Sequence, residues 1–293
     1  MGRKSQKIIT NIQTMDIIKY PDGTSYVKED DLLRTVTFKT NSYEDLWHLN
    51  QYVDMCNHNG FTPTIFIPNL LDAQADKRFN HNESTGLKLV CKFLNKIKAN
   101  FEIFHPHNPE VLEALLDNVF ITDNTHFIKE VISDYYCHEL KGIKRNLGVF
   151  YHQKQDLYNN LILMSSDAGG FKPLMKLCDK LDWKGETISA SKSRKYDSET
   201  KKSKLTQIIN TEDFKGKDIL IVDDICVYGG TFIGLANLLK ERNCRNLYLA
   251  VSHMTVKSPN ILLETDFKKV FTTNSKFEKE EYSLKNLEII KIC

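Results

Sequence analysis

Several features that mark other classes of protein are scarce or absent in this sequence. Seven cysteines are spread over 293 residues with no two at Cys-x-x-Cys spacing, so we expect neither a disulfide framework nor a zinc site. The net charge is only +2, which gives no reason to expect nucleic acid as a partner. No apolar run approaches the roughly 18 residues that a membrane helix needs. Because the first residues are polar, we also expect no signal peptide and a cytoplasmic location.

The residues that are present predict an α/β protein. With 293 residues, 41% of them hydrophobic, the chain is long enough for two domains. The periodicity predicts strands at 64–68, 101–104, 160–164, 218–222 and 246–251, and helices at 84–98, 109–116, 172–181 and 231–242. Continuous apolar strands that alternate with helices are typical of parallel sheets covered on both faces. We therefore predict two α/β domains, 1–146 and 147–293, with mainly parallel sheets.

The strongest motif follows the strand predicted at 218–222. Two acids, Asp223 and Asp224, end this strand, and a four-residue spacer leads to Gly229, Gly230 and Thr231, where a helix begins. At the carboxyl end of a buried strand, such carboxylates can bind ribose hydroxyls or a hydroxyl-bound magnesium ion. The glycine turn and the helix N-terminus can bind a phosphate. The alternative is a strand–turn–helix in which the acids only cap the turn.

This motif resembles the PRPP-binding motif of type I phosphoribosyltransferases and of PRPP synthetases, the ribose-phosphate diphosphokinases. Other segments are similar to synthetase motifs alone. In chain order they are Tyr20-Pro21-Asp22-Gly23-Thr24, Ala73 to Arg78, Phe104-His105-Pro106-His107, Ser165-Ser166-Asp167-Ala168-Gly169-Gly170, Lys192-Ser193-Arg194, His253 and Phe271 to Ser275. In the family, the fourth of these segments reads Ser-Pro-Asp-Ala-Gly-Gly. The resemblance covers nearly the whole chain and implies two tandem type I phosphoribosyltransferase-like domains, the second carrying the Asp-Asp motif.

The resemblance also implies a reaction and its catalytic residues. A PRPP synthetase moves the β,γ-diphosphate of ATP to the C1 hydroxyl of ribose 5-phosphate and releases AMP, with Mg²⁺ as cofactor. His107 and Asp167 match the positions that contact the metal–ATP unit, so they are the implied metal ligands. Lys192 and Arg194 match the catalytic flexible loop and would close over the transferring group. From composition alone, residues 189–204 are either a solvated loop or such a mobile flap.

The remaining implied contacts belong to ATP. They are Tyr20, Asp22, Thr24, Gln74, Asp76, Lys77 and Arg78. In the resembled family, the loop that corresponds to Asp22-Gly23 reaches the adenine of a neighbouring subunit. The resemblance therefore implies a homo-oligomer in which the ATP site is shared between subunits.

Three segments depart from the family pattern. An acid and a hydroxyl that organise the 5-phosphate loop are replaced by Val227 and Tyr228. The cation that usually contacts ATP in the segment Ala73 to Arg78 is replaced by Gln74, and an acid of the adenine loop is replaced by Thr24. The chain is then either a catalytically silent regulatory relative or an active enzyme with a different acceptor. A phosphoribosyltransferase is a further alternative.

The change at Val227 and Tyr228 suits an acceptor that continues past its 5-phosphate. ADP-ribose is such a molecule, and its 1-diphosphate would be a donor for NAD synthesis. Ribose 5-phosphate, which would give PRPP for nucleotide biosynthesis, is the other acceptor that the sequence allows.

Overall fold

The structure, a computed structural model, divides into two compact units. It describes residues 5–9, 14–140, 154–197, 202–255, 267–282 and 286–292, and within these ranges the backbone alone at 5–9, 14, 139–140, 154, 192–197 and 202–206. The first unit extends to Asp123 and the second begins at Asn124. In the described ranges, no helix combines the length and the apolar character that crossing a membrane requires.

The first unit combines a parallel and an antiparallel sheet. Its strands are β1 (Ser5–Ile9), β2 (Thr14–Lys19), β3 (Ser25–Lys28), β4 (Thr35–Thr37), β5 (Thr64–Ile67), β6 (Asn100–Phe104) and β7 (Val119–Thr122). Its helices are α1 (Tyr43–His58), α2 (Gly86–Leu94) and α3 (Pro109–Leu115). Strands β4-β5-β6-β7 form a parallel sheet in that order, and β1-β2-β3 form a separate antiparallel sheet. The antiparallel sheet was not predicted.

Helix α1 joins the two sheets of this unit. It begins at a capping box, in which the side chain of Ser42 accepts a hydrogen bond from the backbone N–H of Asp45. Its apolar face buries residues such as Leu49 in the core of the unit. On another side, the Gln51 amide accepts from the Val27 N–H at 2.7 Å and donates to the Ser25 carbonyl at 3.0 Å. These bonds fix the antiparallel sheet to α1.

The second unit contains two sheets, a larger one that is fully parallel and a two-stranded antiparallel hairpin. Its strands are β8 (Leu161–Ser165), β9 (Thr187–Ser189), β10 (Ser191–Asp197), β11 (Lys202–Ile208), β12 (Asp218–Cys226), β13 (Leu247–Met254), β14 (Phe267–Thr273) and β15 (Leu287–Ile290). Its helices are α4 (Thr125–Tyr135), a π-helical turn (Tyr136–Leu140), α5 (Lys154–Asn160), α6 (Phe171–Leu181), α7 (Gly230–Glu241) and a short 3₁₀ turn (Lys279–Glu281). In the parallel sheet the strand order is β15-β14-β13-β12-β8-β9, and a separate hydrophobic core covers each of its two faces. The predicted parallel α/β architecture is thus confirmed.

The structure adds detail at three places in the predicted organisation. The domain boundary predicted at 146/147 lies outside the described residues and stays a prediction, while the two compact units divide before α4, whose Phe127 and Val131 pack in the core of the second unit. Helix α2 begins at Gly86, two residues after Ser84, and its N-cap Thr85 makes no side-chain capping bond. In the segment 189–204, which showed no apolar period, residues 191–197 form β10, which pairs antiparallel with β11 at 202–208.

Strand β12 is held firmly at its start. The buried carboxylate of Asp218 accepts a hydrogen bond from the Tyr135 hydroxyl at 2.8 Å and from two nitrogens of Arg245, each at 2.8 Å. The backbone N–H of Asn246 donates to it as well, at 3.0 Å. A buried carboxylate with this many donors is well compensated for its lost hydration. The network fixes the end of β12 that is opposite to the acidic pair.

Candidate functional site in the second unit

Two of the predicted motifs meet at the carboxyl edge of the parallel sheet. Strands β8 and β12 are neighbours, and Ser165 lies opposite Val222 in their register. Strand β8 ends at Ser165, whereas β12 continues beside β13 to Cys226, so the acidic pair predicted to follow this strand lies within it. There, the Ser166 hydroxyl donates a hydrogen bond to Oδ2 of Asp223. The Ser165–Gly170 turn and the acidic pair thus form one site.

Asp223 is half-buried and contacts the Ser165–Gly170 turn. Its Oδ1 accepts the backbone N–H of Asp224 at 2.9 Å, and its Oδ2 accepts the Ser166 hydroxyl. Burial, followed by repulsion from the Asp224 carboxylate, raises the pKa of Asp223 to about 7. Within the described residues, no lysine or arginine forms an ion pair with it. A carboxylate in this position would gain from a cation that arrives with a substrate.

The Ser165–Gly170 turn is folded around the carboxylate of Asp167. The backbone N–H of Gly170 donates to Asp167 Oδ1 at 3.1 Å, and the Ser165 hydroxyl lies 2.9 Å from the Asp167 carbonyl oxygen and 2.9 Å from the Ser189 hydroxyl. A Cβ atom at Gly169 would lie 3.3 Å from Asp167 Oδ1. The turn is therefore tight, and its Ser166 joins it to Asp223.

The predicted phosphate loop has the geometry of an anion-binding helix start. Gly229 is the N-cap of α7 with φ of 81°, a left-handed conformation that favours glycine. The first hydrogen bonds of the helix run from the Phe232 and Ile233 N–H groups to the Gly229 carbonyl. The N–H groups of Gly230 and Thr231 precede these bonds, so helix geometry leaves them available to a ligand.

The two unusual residues of this loop differ in exposure. Val227 is half-buried, whereas the side chain of Tyr228 is 75% exposed. A large aromatic ring that is exposed beside a helix N-terminus can stack on a base or a ribose without first leaving the protein core.

The β10–β11 hairpin begins next to the same edge. The N–H of Ala190, the residue before β10, donates to the Ser165 carbonyl at 3.2 Å. In the hairpin register, Lys192 lies opposite Gln207 and Arg194 lies opposite Leu205. The side chains of Lys192 and Arg194 are not among those described, so their catalytic role stays a prediction.

The predicted ATP residues lie in the first unit, where two of the segments meet. The Nδ2 atom of Asn108 donates to Asp76 Oδ2 at 3.0 Å. Asn108 caps α3 and directly follows His107, whose side chain is exposed. The loop after β5 and the loop after β6 are thereby joined, as expected for neighbouring parallel strands. Gln74, Lys77 and Arg78 are exposed on the first of these loops.

The third ATP segment is the turn between β2 and β3. The Thr24 N–H and hydroxyl both donate to Asp22 Oδ1, at 3.0 and 2.7 Å, and the Thr24 hydrogen bonds lower the pKa of Asp22. Gly23 has φ of 88°, and Tyr20 stacks on Tyr26 with 5.9 Å between ring centroids. Thr24, which replaces an acid of the family, therefore closes the turn on Asp22.

Of the two residues predicted as magnesium ligands, Asp167 and His107, only the first has a side chain that magnesium prefers. No cluster of three or more metal-ligating side chains occurs among the described residues. Magnesium bound with nucleotide needs only one or two protein carboxylates, because phosphates and water complete its shell. The Asp167 carboxylate suits this ion. An imidazole is not a preferred magnesium ligand, so His107 is better suited to donate a hydrogen bond to a phosphate.

Comparison with known proteins agrees with this geometry. The profile of the phosphoribosyl transferase domain matches residues 138–285, half of the chain. The chain belongs to this family. Over most of its length, it is 25% identical to the ribose-phosphate pyrophosphokinase of Pyrococcus abyssi, covering 83% of this chain and 77% of the relative. The enzyme of that name from Saccharolobus solfataricus is 22% identical, with coverage of 80% and 74%.

A solved structure shows the same fold. The phosphoribosylpyrophosphate synthetase from Mycobacterium smegmatis superposes with a TM-score of 0.74 at 19% identity, covering 95% of this chain and 86% of that one. The resemblance to PRPP synthetases and the fold of two tandem phosphoribosyltransferase-like domains are thereby confirmed.

Sequence reasoning missed two polar residues that the structure places at the site. Ser166 stands where the family has proline, and that exchange was visible in the motif, yet its contact with Asp223 depends on the register of β8 and β12. Asn108 gave no signal of its own, because its contact with Asp76 joins loops 32 positions apart.

The raised pKa of Asp223 predicts that this carboxyl group lowers the stability of the folded protein near neutral pH. In the range between the unfolded pKa of about 4 and the folded pKa of about 7, the native state retains a proton that the unfolded state has released. Stability therefore falls as the pH rises through this range. Asp223→Asn, which cannot ionise, should be about 1–3 kcal/mol more stable than wild type at pH 8 and nearly equal at about pH 3, where Asp223 is protonated in both the folded and the unfolded state.

Thermal unfolding of both proteins across this pH range, without nucleotide, is the measurement. Asp213→Asn is the matched control, because Asp213 is exposed and the Lys215 backbone N–H lowers its pKa, so this variant should gain no stability at pH 8. An Asp223→Asn protein that is less stable than wild type at pH 8 would contradict the assignment.

Proposed function

We propose that the protein transfers the β,γ-diphosphate of ATP to the C1 hydroxyl of a ribose 5-phosphate moiety and releases AMP. The observation that supports this most directly is the meeting of Asp223 with the Ser165–Gly170 turn at one sheet edge. One motif matches a ribose-binding motif and the other matches a turn specific to PRPP synthetases. The relatives named ribose-phosphate pyrophosphokinase, which align over most of the chain, support the same reaction.

Each part of the site has a role in this proposal. Asp223 and Asp224 bind the ribose hydroxyls, and the N–H groups of Gly230 and Thr231 bind the 5-phosphate of the acceptor. Asp167 contributes a carboxylate to the magnesium that is bound with ATP. Diphosphoryl transfer requires in-line positioning and neutralisation of spreading negative charge.

Cationic side chains of the hairpin supply part of that neutralisation. Lys192 offers a point charge and Arg194 a planar fork to phosphate oxygens. ATP itself is bound by residues of the first unit, including His107 and the Gln74–Arg78 loop.

For the acceptor, we propose a molecule that extends past its 5-phosphate, with ADP-ribose as the example. The support is Tyr228, an exposed aromatic ring beside the phosphate loop, and Val227, which replaces an acid. A phosphodiester carries less charge than a terminal phosphate, so it needs fewer polar contacts. Its two free oxygens can still accept from the Gly230 and Thr231 N–H groups. The product would be ADP-ribose 1-diphosphate, a donor for NAD synthesis.

We also propose a homo-oligomer in which the Tyr20–Thr24 turn contributes to the ATP site of a neighbouring copy. The support is the exposure of Tyr20, of which 42% is accessible, and the tight closure of the turn by Thr24. A fixed turn with an exposed ring can stack on an adenine.

The reaction predicts magnesium-dependent release of AMP from ATP only when an acceptor is present. Lys192→Ala and Arg194→Ala should each lower kcat by about 10²-fold or more while changing ATP binding little, because they act on the transition state. Separation of the nucleotides after incubation with ATP, magnesium and each acceptor measures the first effect, and titration with ATP measures the second.

Lys184→Ala is the control for these variants, since Lys184 is a surface residue paired with Asp182 in the same unit. Equal losses in binding and turnover would rule out a transition-state role for the hairpin. Consumption of PRPP and a base without ATP would indicate a phosphoribosyltransferase. Nucleotide binding without any turnover would indicate a silent regulatory relative.

The acceptor proposal predicts that ADP-ribose wins a direct competition. With ribose 5-phosphate and ADP-ribose at equal concentration, we expect ADP-ribose 1-diphosphate to dominate by about ten- to a hundredfold, from a stacking energy of about 1–3 kcal/mol. Mass spectrometry of the products gives the ratio. The double variant Tyr228→Thr with Val227→Asp should shift the preference toward ribose 5-phosphate.

The single variant Tyr228→Phe is the control, because it retains the ring and should retain the preference. If the wild-type protein makes only PRPP, the interpretation of Val227 and Tyr228 is wrong and ribose 5-phosphate is the acceptor.

The shared ATP site predicts that turnover depends on protein concentration. Dilution below the dissociation range should lower the activity per subunit, and Tyr20→Ala should raise the KM for ATP without changing the acceptor KM. Light scattering and steady-state kinetics over the same dilution series test this. A monomer with undiminished activity would exclude a site shared between copies.

A further inference from the structure

The β10–β11 hairpin is joined to the rest of the second unit near its base. Ser191 and Ile208 form the first pair of its register, and Lys192 and Gln207 form the second. An isolated two-stranded hairpin is marginally stable in water. Contacts at the base therefore decide how the hairpin is oriented.

Gln207 makes such a contact, with the helix that follows the phosphate loop. Its Nε2 atom donates to the carbonyl oxygen of Thr231 at 2.7 Å. Thr231 belongs both to the first turn of α7 and to the predicted phosphate-binding residues. The hydrogen bond thus connects the hairpin, at the position opposite Lys192, to the loop that would bind the acceptor phosphate.

A glycine in α7 makes room for this side chain. A Cβ atom at Gly234 would overlap Oε1 of Gln207. Glycine within a helix is less favourable than alanine by about 1 kcal/mol, and the close approach of the Gln207 amide explains its presence here. Thr231 and Gly234 are three residues apart, so they lie on the same face of the helix.

The chain that follows β11 is attached to the other end of α7. The Arg242 guanidinium, at the C-terminus of the helix, donates to the carbonyl oxygens of Ile209 and Thr211, the latter at 2.6 Å. The segment leaving the hairpin is therefore fixed along α7 from Arg242 back to Gln207. Gln207 is the last of these attachment points before the catalytic part of the hairpin.

We propose that Gln207 is a positioning residue: its amide holds the base of the β10–β11 hairpin against the first turn of α7, which aligns Lys192 with the phosphate loop. The effect of Gln207 on catalysis through Lys192 rests on the proposed diphosphotransfer. Its effect on the orientation of the hairpin does not depend on that reaction. Gln207 itself touches no substrate in this account and acts through the position of the hairpin.

The test uses the full chain with three variants: Gln207→Ala, Gly234→Ala and the double variant. Each single change should lower kcat about three- to tenfold, the effect of one lost hydrogen bond, with the KM for ATP changed less than twofold. Gly234→Ala should lower kcat although its Tm is unchanged or higher, because alanine favours the helix while its methyl group displaces the Gln207 amide. The double variant should be no slower than Gln207→Ala, since the two changes remove the same contact.

A second readout does not require activity. Trypsin cleavage of the native protein within 192–204, which contains several lysines and one arginine, should be faster in both single variants than in wild type. Gln155→Ala is the matched control, because Gln155 is an exposed glutamine whose amide donates to Oδ1 of Asn159 in its own helix, at 3.1 Å.

The outcomes separate this proposal from the proposed function. If wild type releases no AMP, the function is wrong, and the cleavage rates alone decide the role of Gln207. If wild type is active, additive losses in the double variant or unchanged cleavage in Gln207→Ala would overturn the positioning role.

Discussion

The parallel pairing of β8 with β12 is the constraint on which the site depends. Because Ser165 lies opposite Val222, the first residue after β8 lies beside Asp223 of β12, and the Ser166 hydroxyl reaches the Asp223 carboxylate. A shift of one residue in this register would turn each of these side chains to the other face of the sheet. The Ser166–Asp223 contact, which joins the two motifs, would then be lost.

Strand β12 carries two carboxylates, Asp218 and Asp223, that differ in how their charge is compensated. At its start, the Asp218 carboxylate is buried but fully compensated by Arg245 and Tyr135. Toward its other end, the Asp223 carboxylate accepts from a hydroxyl and a backbone N–H, none of the described lysines and arginines forms an ion pair with it, and burial raises its pKa. Carboxylates with a perturbed pKa are common where a protein binds a ligand, and such sites are commonly unfavourable to the fold that carries them.

Much of this arrangement could be predicted from the sequence, because it depends on local patterns. Apolar runs such as 218–222 predicted buried strands, and the acids and glycines that follow predicted a turn at the carboxyl end. Three features could not be predicted in this way. The β10–β11 hairpin has a polar sequence without period, the Gln207–Thr231 bond joins residues far apart in sequence, and the division of the units before α4 follows from packing rather than from composition.

The central claim is that the acidic pair and the Ser165–Gly170 turn bind an acceptor and a diphosphate donor in one reaction. Phosphorus NMR of the protein with ATP, magnesium and a ribose 5-phosphate-containing acceptor tests it most directly. The account predicts AMP and a new diphosphate on C1 of the acceptor, in equal amounts, with no accumulation of ADP. ATP that remains intact, or ADP with orthophosphate as the products, would contradict it.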